Sequence, residues 1–161
     1  MPVDPDIDTL ARTLVGEARG TSLLDMLGVA AVVRERVLRP GWWSQPLHSW
    51  QSVCRARYQF SCWNEGDPNR DVILYAEVRE PQAWQRAVRI ADYAVHYLRD
   101  QDIAQLFGVG GPEEFPTHYH DRSIDTPRAW GDKLKEIVPP WKSAFRWYVV
   151  YEGRPSRRGA A

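Results

Sequence analysis

The run 23-LLDMLGVAAVV-33 constrains this 161-residue chain more than any other stretch. Wound as a helix it is apolar on nearly all sides, which is typical of a helix buried at the centre of a small α-rich domain. Ser22, followed three positions later by Asp25, resembles a capping box that would begin the helix. The charged triplet 34-RER-36 is expected to mark its emergence from the core, before Pro40-Gly41 ends it. The length predicts one domain with one core.

Two amphipathic helices are expected in addition to the central one. The first precedes it in the chain, and the second lies in the middle of the chain. In the first, apolar residues recur with a helical period up to Ala18, aspartates lie at the start, where the helix dipole favours them, and Gly20 would end it. The other opens at Glu80-Pro81, with proline in the first turn, and runs to about Leu98. Residues 41–80, between the central helix and this one, predict a short helix near Leu47–Arg55 and then a long loop. The loop is expected to be ordered, because its aromatic content argues against disorder.

The C-terminal third predicts a small β element. Thr117–His120 and 145-FRWYVVYE-152 carry aromatic and β-branched residues typical of strands, and the two are expected to pair. A helical turn is expected near Trp130. The fold class is therefore α+β, mainly α, with one domain over residues 1–153 and a disordered polar tail over residues 154–161.

Composition excludes several classes of function. Lys+Arg and Asp+Glu are 21 each, so a net charge of zero argues against a nucleic-acid partner, even though Trp and Arg interleave over residues 50–60. We expect no membrane insertion, because no window approaches eighteen apolar residues. The start MPVDPDIDTL has neither the basic nor the apolar region of a secretory signal. Cys54 and Cys62 are too few for a disulfide framework, and whether they pair is left open.

Glu17 is the candidate catalytic residue. It lies in 14-LVGEARG-20, roughly 80–90° from the centre of the apolar stripe and in the last helical turn, where backbone carbonyls disfavour negative charge. Both features should raise the pKa of its carboxyl group. A carboxyl group partly protonated near neutral pH suits general-acid cleavage of a glycosidic bond. The structural alternative is a boundary glutamate paired with Arg12, Arg19 or Arg34.

Three sequence blocks carry a resemblance to a known family. The stretch 16-GEARG-20, followed by 29-VAAVVRERV-37, resembles the SleB-type cell-wall hydrolases, the spore-cortex-lytic and phage-borne enzymes that cleave peptidoglycan glycan strands. The family's Gln-Phe-Ser-Cys-Trp-type loop is matched by 59-QFSCWNEGDPN-69. Its aromatic segment is matched by 117-THYH-120, with Trp130 as the downstream tryptophan.

The resemblance implies a lysozyme-like single domain that needs no metal or other cofactor. It implies Glu17 as the catalytic acid, between two glycines, Gly16 and Gly20, that would let the backbone turn and leave space for a sugar. It also implies substrate-binding residues on two facing walls and at the downstream tryptophan: Gln59, Phe60, Ser61 and Trp63, then His118, Tyr119 and His120, and Trp130.

The number of catalytic carboxylates stays open. Most glycosidases use two, and Asp67, Asp71, Asp121 and Asp125 are candidates for the second, although Asp67 in Gly-Asp-Pro-Asn is typical of a turn. A lytic transglycosylase needs one, which protonates the leaving oxygen and then deprotonates the sugar's own C6 hydroxyl. We favour that reaction over muramidase-type hydrolysis, with Tyr58, Tyr119 or a backbone carbonyl stabilising the transition state.

Two rival functions remain. His118-x-His120 next to Asp121 could begin a zinc site of a peptidoglycan amidase or peptidase, with a third ligand from His48, His96 or a distant acid. The chain could instead be a non-catalytic glycan-binding or phage structural protein. The expected partners are peptidoglycan strands and, for a virion-borne lysin, phage particle proteins. The expected location is the host cytoplasm until release to the cell wall, or the virion.

Overall fold

The computed structural model describes residues 3–41, 43, 49–57 and 59–151, and these form a mainly helical α+β structure with one three-stranded sheet. The predicted class, α+β and mainly α, is therefore confirmed. The helices are α1 Pro5–Ala18, α2 Leu23–Leu38, α3 Trp50–Arg55, α4 Pro68–Leu74, α5 Ala76–Arg79, α6 Pro81–His96 and α7 Asp100–Phe107, and the strands are β1 His118–Asp121, β2 Leu134–Ile137 and β3 Phe145–Val150. Short 3₁₀ turns occupy Ser61–Trp63, Pro112–Glu114 and Arg128–Trp130. The predicted tail, residues 154–161, lies outside the described residues.

Helix α1 forms where the aspartates and the apolar stripe predict it. Asp4 caps it by accepting a hydrogen bond from the Asp6 backbone N–H at 2.8 Å, and Pro5 occupies the first position, where no N–H is needed. Its apolar face is buried against α6, α3 and α2. The helix ends at Ala18, two residues before the predicted stop at Gly20.

Helix α2 is the central helix that the apolar run predicts. Ser22 caps it by accepting a hydrogen bond from the Asp25 N–H at 3.1 Å. The expectation that the helix leaves the core at residues 34–36 is wrong, because Glu35 and Arg36 are both buried. Burial is tolerated because Glu35 accepts a hydrogen bond from Arg39 at 2.6 Å and Arg36 donates hydrogen bonds within the fold.

The segment predicted as a long loop contains two helices. The predicted short helix is present as α3, and the part of that prediction at Leu47 and His48 lies outside the described residues. The loop prediction is wrong from Pro68 onward, where α4 and α5 lie. Asp67 caps α4 by accepting a hydrogen bond from the Asn69 N–H at 2.8 Å, with Pro68 in the first turn. Asp-Pro here is a helix start and not a reverse turn.

The sheet has the order β1-β3-β2, with both pairs antiparallel. The predicted pairing of the 117–120 segment with the last strand is confirmed, with His118 opposite Tyr148. Strand β2, with Ile137 opposite Trp147, was not predicted. The Trp147 indole packs on α2 at Gly28, where a Cβ would lie 2.6 Å from the ring.

Both cysteines, Cys54 and Cys62, are buried free thiols. Within the described ranges, no helix combines the length and the apolar character needed to cross a membrane.

Candidate functional site

A cleft of about 610 Å³ lies between the helices and the sheet. Side chains from α1, α2 and the loop after α3 line one side, and β1, β3 and the loop after β1 line the other. The lining residues are Glu17, Arg36, Gln59, Phe60 and Ser61, facing His118, Tyr119, His120, Asp121, Ile124, Pro127, Ala129, Trp130 and Phe145. The cleft thus brings together every site residue predicted from the sequence except Trp63.

Glu17 projects from the last turn of α1 into this cleft and is partly buried. Burial raises the pKa of its carboxyl group from 4.5 to about 7. The positive charge of Arg36 and a hydrogen bond from Tyr119 oppose the rise in pKa, and the charge of Asp67 adds to it. Desolvation is therefore the main physical cause, and the group exchanges its proton near neutral pH.

The arginines suggested as structural partners of Glu17 are engaged elsewhere. Arg12 bridges Asp8 and Glu77 at the other side of α1. Arg19 pairs with Glu80 at 3.4 Å, and Arg34 pairs with Asp100 at 2.8 Å. The prediction of a boundary ion pair with any of these three is wrong.

Arg36 is a charged cleft residue that sequence reasoning missed, and Ile124, Pro127, Ala129 and Phe145 of the lining were not predicted either. Arg36 Nε donates to the Thr117 carbonyl at 2.9 Å, and a terminal nitrogen donates to Gln59 Oε1 at 3.0 Å. Its guanidinium lies 5.2 Å from the centre of the Phe60 ring. Burial lowers the pKa of Arg36 to about 10, so it stays cationic at neutral pH. The available signal was its helical phase, because Arg36 continues the stripe of Val29 and Val32.

Aromatic and imidazole rings form the wall opposite Glu17. The His118 ring lies 4.9 Å from the Trp43 ring and 4.8 Å from the Trp130 ring, measured between centroids. Burial lowers the pKa of His118 to about 2, so its imidazole is neutral and cannot serve as an acid at neutral pH. Trp130 remains partly exposed to the cleft.

His120 is held by a chain of hydrogen bonds. Its ring stacks on Tyr148 with centroids 5.4 Å apart. Nδ1 lies 2.7 Å from the Asp121 carbonyl, so Nδ1 carries the proton, and Nε2 accepts from the Thr126 hydroxyl at 3.3 Å. Thr126 also contacts the Tyr148 hydroxyl at 3.1 Å. This chain fixes the loop after β1 to the sheet.

A zinc site finds little support in this geometry. Both ring nitrogens of His120 are engaged, and His118 Nδ1 contacts the Thr117 hydroxyl at 2.9 Å. Across the described residues, no group of three His, Cys, Asp or Glu side chains is placed to hold a metal ion. His96 pairs with Asp92 on an exposed face of α6, and His48 lies outside the described residues.

Trp63 does not belong to the cleft. Its indole N–H donates to the Thr13 hydroxyl at 2.8 Å, and the Arg55 guanidinium lies 4.9 Å from its ring centre. The ring lines a separate depression with Arg55, Arg70 and Leu74. The 3₁₀ turn over Ser61–Trp63 explains this placement, because it directs the first and last residues to different sides.

The two glycines around Glu17 have different surroundings. A Cβ at Gly16 would lie 2.6 Å from Cys62 Cβ and 2.7 Å from its sulfur, so glycine lets this turn approach α1. The prediction that Gly16 leaves space for a sugar is therefore wrong. Gly20 is exposed, with open space where its Cβ would be.

The four candidate second carboxylates are also separated by the fold. Asp121 lines the cleft, and hydrogen bonds from Ser123 lower the pKa of its carboxyl group, so it is ionised at neutral pH. Asp67 caps α4 and acts on Glu17 through its charge alone. Asp71 and Asp125 are exposed and lie outside the cleft lining. Tyr58 lies outside the described residues.

Comparison of the chain with protein-family models, with characterised proteins and with solved structures finds no match. The resemblance to the SleB-type hydrolases therefore rests on the three sequence blocks.

Proposed function

We propose that this chain is a peptidoglycan-degrading enzyme that cleaves the MurNAc-GlcNAc glycan backbone, with Glu17 as general acid and base. One observation carries the proposal: a carboxyl group whose pKa is raised to about 7 lines a cleft of about 610 Å³, opposite a partly exposed indole. A group that gives and accepts a proton near neutral pH is what glycosidic cleavage requires. A lysozyme-like arrangement of the domain is part of the same proposal.

The two walls of the cleft suit a carbohydrate. Trp130 offers an apolar face to a pyranose ring, while Gln59 and Ser61 offer polar groups to its hydroxyls. The neutral His118 behind Trp130 supports the indole and adds no charge. The charged residue of this described wall, Asp121, is negative, so the wall favours an uncharged sugar backbone over a phosphate-bearing polymer.

The reaction we favour is that of a lytic transglycosylase. Protonated Glu17 transfers its proton to the glycosidic oxygen as the bond from that oxygen to C1 of the muramic sugar breaks. The resulting Glu17 carboxylate then takes the proton of the same sugar's C6 hydroxyl, whose oxygen bonds to C1. The product is a 1,6-anhydro sugar, no water is consumed, and Glu17 ends protonated as it began.

Muramidase-type hydrolysis is the alternative, and Asp121 is the observation that favours it. Asp121 is the second carboxylate in the described cleft lining and remains ionised at neutral pH. It could activate a water molecule or stabilise positive charge at C1.

The sequence resemblance supports the proposal that the enzyme is a phage endolysin or a virion-associated lysin. Its substrate would be peptidoglycan, and its partners would be phage particle proteins.

The test is mass spectrometry of the soluble products released from defined peptidoglycan. We expect anhydromuramyl ends, and a rate about 10²–10⁴-fold lower for Glu17→Gln, which keeps the size of the side chain and cannot donate an acidic proton. Glu65→Gln is the matched control, because Glu65 is an exposed glutamate outside the cleft, and it should keep wild-type activity.

Other products decide between the alternatives. Reducing ends mean hydrolysis and direct attention to Asp121→Asn. Cut stem peptides with an intact glycan move the chemistry to His118 and His120, as the zinc alternative requires. Glycan binding without any product in the wild type means a binding module. Wild-type rates in Glu17→Gln contradict the proposed mechanism.

A further inference from the structure

We propose that Arg36 is a positioning residue for Glu17: its buried guanidinium joins the two walls of the cleft and supplies the positive charge that lets Glu17 serve as a base after it has served as an acid. This inference rests on the proposed function, because it assigns Arg36 a part in the second half of that reaction.

The geometry of Arg36 supports a joining role. Arg36 belongs to α2 and hydrogen-bonds the Thr117 carbonyl, just before β1, at 2.9 Å. It also hydrogen-bonds Gln59, in the loop after α3, at 3.0 Å and lies over the Phe60 ring. One side chain therefore fixes the helical wall and the strand wall relative to each other.

The burial of Arg36 makes its charge effective. Arg36 is 5 % exposed and lines the same cleft as Glu17. A charge in a poorly solvated site acts over a short distance with little screening, so the guanidinium favours the ionised form of the nearby carboxyl group. Without it, desolvation would hold the proton on Glu17 more tightly, and the carboxylate needed for the second step would form less readily.

Other groups around Glu17 act in the opposite direction or more weakly. The Tyr119 hydroxyl also favours the carboxylate, while the negative charge of Asp67 disfavours it. The further titratable groups that face Glu17, line its cleft or lie at the neighbouring end of α6 are Cys54, Cys62, Glu80, His118, His120 and Asp121. Arg36 is the cation among the described cleft-lining residues.

The experiment follows the titration of the Glu17 carboxyl carbon by NMR in protein labelled with ¹³C at glutamate side-chain carboxyls, with Glu17→Gln assigning the signal. We compare wild type with Arg36→Gln and Arg36→Lys. Both variants lose the forked geometry of the guanidinium, but Arg36→Lys keeps the charge. Arg36→Gln should raise the pKa of Glu17 by about one pH unit or more, and Arg36→Lys should leave it close to the wild-type value.

Two further variants make the test decisive. Arg34→Gln is the matched control, because Arg34 is a partly buried α2 arginine whose partner Asp100 lies outside the cleft. It should not move the titration of Glu17. If Arg36→Gln does not fold, Arg36→Met takes its place, since its unbranched apolar side chain occupies the buried site without a charge. That variant should also raise the pKa of Glu17.

The pH profile of glycan cleavage provides the second readout. The alkaline limb of kcat/KM should move upward with the titration of Glu17 in Arg36→Gln and stay in place in Arg36→Lys. A purely structural Arg36 would lower the rate equally in both variants and leave the limb and the NMR titration unchanged, which would overturn the inference. Because the NMR titration needs no turnover, failure of the proposed function would show as absent products with the titration result intact.

Discussion

Two acidic side chains near the ends of neighbouring helices, Asp25 and Glu17, have opposite surroundings. Asp25, in the first turn of α2, is 1 % exposed and accepts hydrogen bonds from Trp141 Nε1 and the Ala144 N–H, each at 3.0 Å, and from the Ser143 hydroxyl. Glu17, in the last turn of α1, faces a cleft and receives a hydrogen bond from Tyr119.

The difference separates a carboxylate that serves the packing from the one that we propose as catalytic. The donors around Asp25 replace the water it loses, so its charge joins α2 to the segment before β3. Desolvation of Glu17 is compensated less completely, and the pKa of its carboxyl group rises to about 7. Burial alone therefore does not mark a carboxylate as a candidate acid in this fold, and the hydrogen-bond donors around it have to be compared as well.

The largest expected effect on stability is at Asp25. Asp25→Ala should lower the free energy of unfolding by about 3 kcal/mol or more, because it leaves three donors without their acceptor. Urea denaturation measures the loss. Asp92→Ala, which removes an exposed carboxylate paired with an exposed histidine, is the control and should cost about 0.5 kcal/mol or less. A loss below about 1 kcal/mol at Asp25 would contradict its structural role.

A slightly smaller effect, of opposite sign, is expected at Glu17. Its folded-state pKa of about 7 lies above its ordinary value of 4.5, so folding favours the protonated form. Stability from this group is complete below pH 4.5 and is lost as the pH rises to about 7, a loss of about 3 kcal/mol. Glu17→Gln has no charge to lose and should become more stable than wild type by that amount at pH 8.

The measurement is urea denaturation of both proteins between pH 4 and pH 8. A stability difference that stays constant over this range would show that Glu17 titrates normally. That result would remove the contrast with Asp25 and the basis of the proposed catalytic role.

The smallest effects concern the two glycines that bring other elements close to these helices. Gly16→Ala and Gly28→Ala should each cost about 1–3 kcal/mol, because their new methyl groups would lie 2.6 Å from Cys62 Cβ and from the Trp147 ring. Gly16→Ala should also slow glycan cleavage, since it displaces the turn that carries Ser61. Gly20→Ala, with open space around it, should leave both stability and cleavage unchanged. If Gly16→Ala and Gly28→Ala cleaved glycan at the same rate, the close approach at Gly16 would have no specific effect on the site.

Local patterns in the sequence predicted the elements that local interactions determine. The apolar period predicted α1, α2 and α6, and the aromatic and β-branched content predicted the strands that pair as β1 and β3. The four-residue β2 was missed, because a segment this short, 134-LKEI-137, carries too little alternation to indicate a strand. Helices α4 and α5 were missed because Asp67-Pro68 was interpreted as a turn, although the same pair also begins helices.

Most of the candidate site could be predicted, and the exceptions depend on tertiary contacts. Glu17, the 59–61 segment and the 118–120 segment converge on one cleft. Trp63 does not, because a single 3₁₀ turn directs it to Thr13. Arg36 was assigned to the surface because charge normally marks exposure, and the acceptors that make its burial possible lie 23 and 81 positions away along the chain.

The strand order β1-β3-β2 determines when the cleft can form as the chain is synthesised. In the described sheet, the wall strand β1 pairs with β3, the strand nearest the C-terminus among the described residues, so α1, which contains Glu17, and its neighbouring helices cannot complete the cleft alone. During synthesis the chain must reach residue 150 before the opposing wall has a partner. We therefore expect a growing chain to remain inert toward glycan until its final strand is in place. Opening of the sheet in the folded protein would remove this wall of the cleft while leaving the packing of α1 on α6 intact.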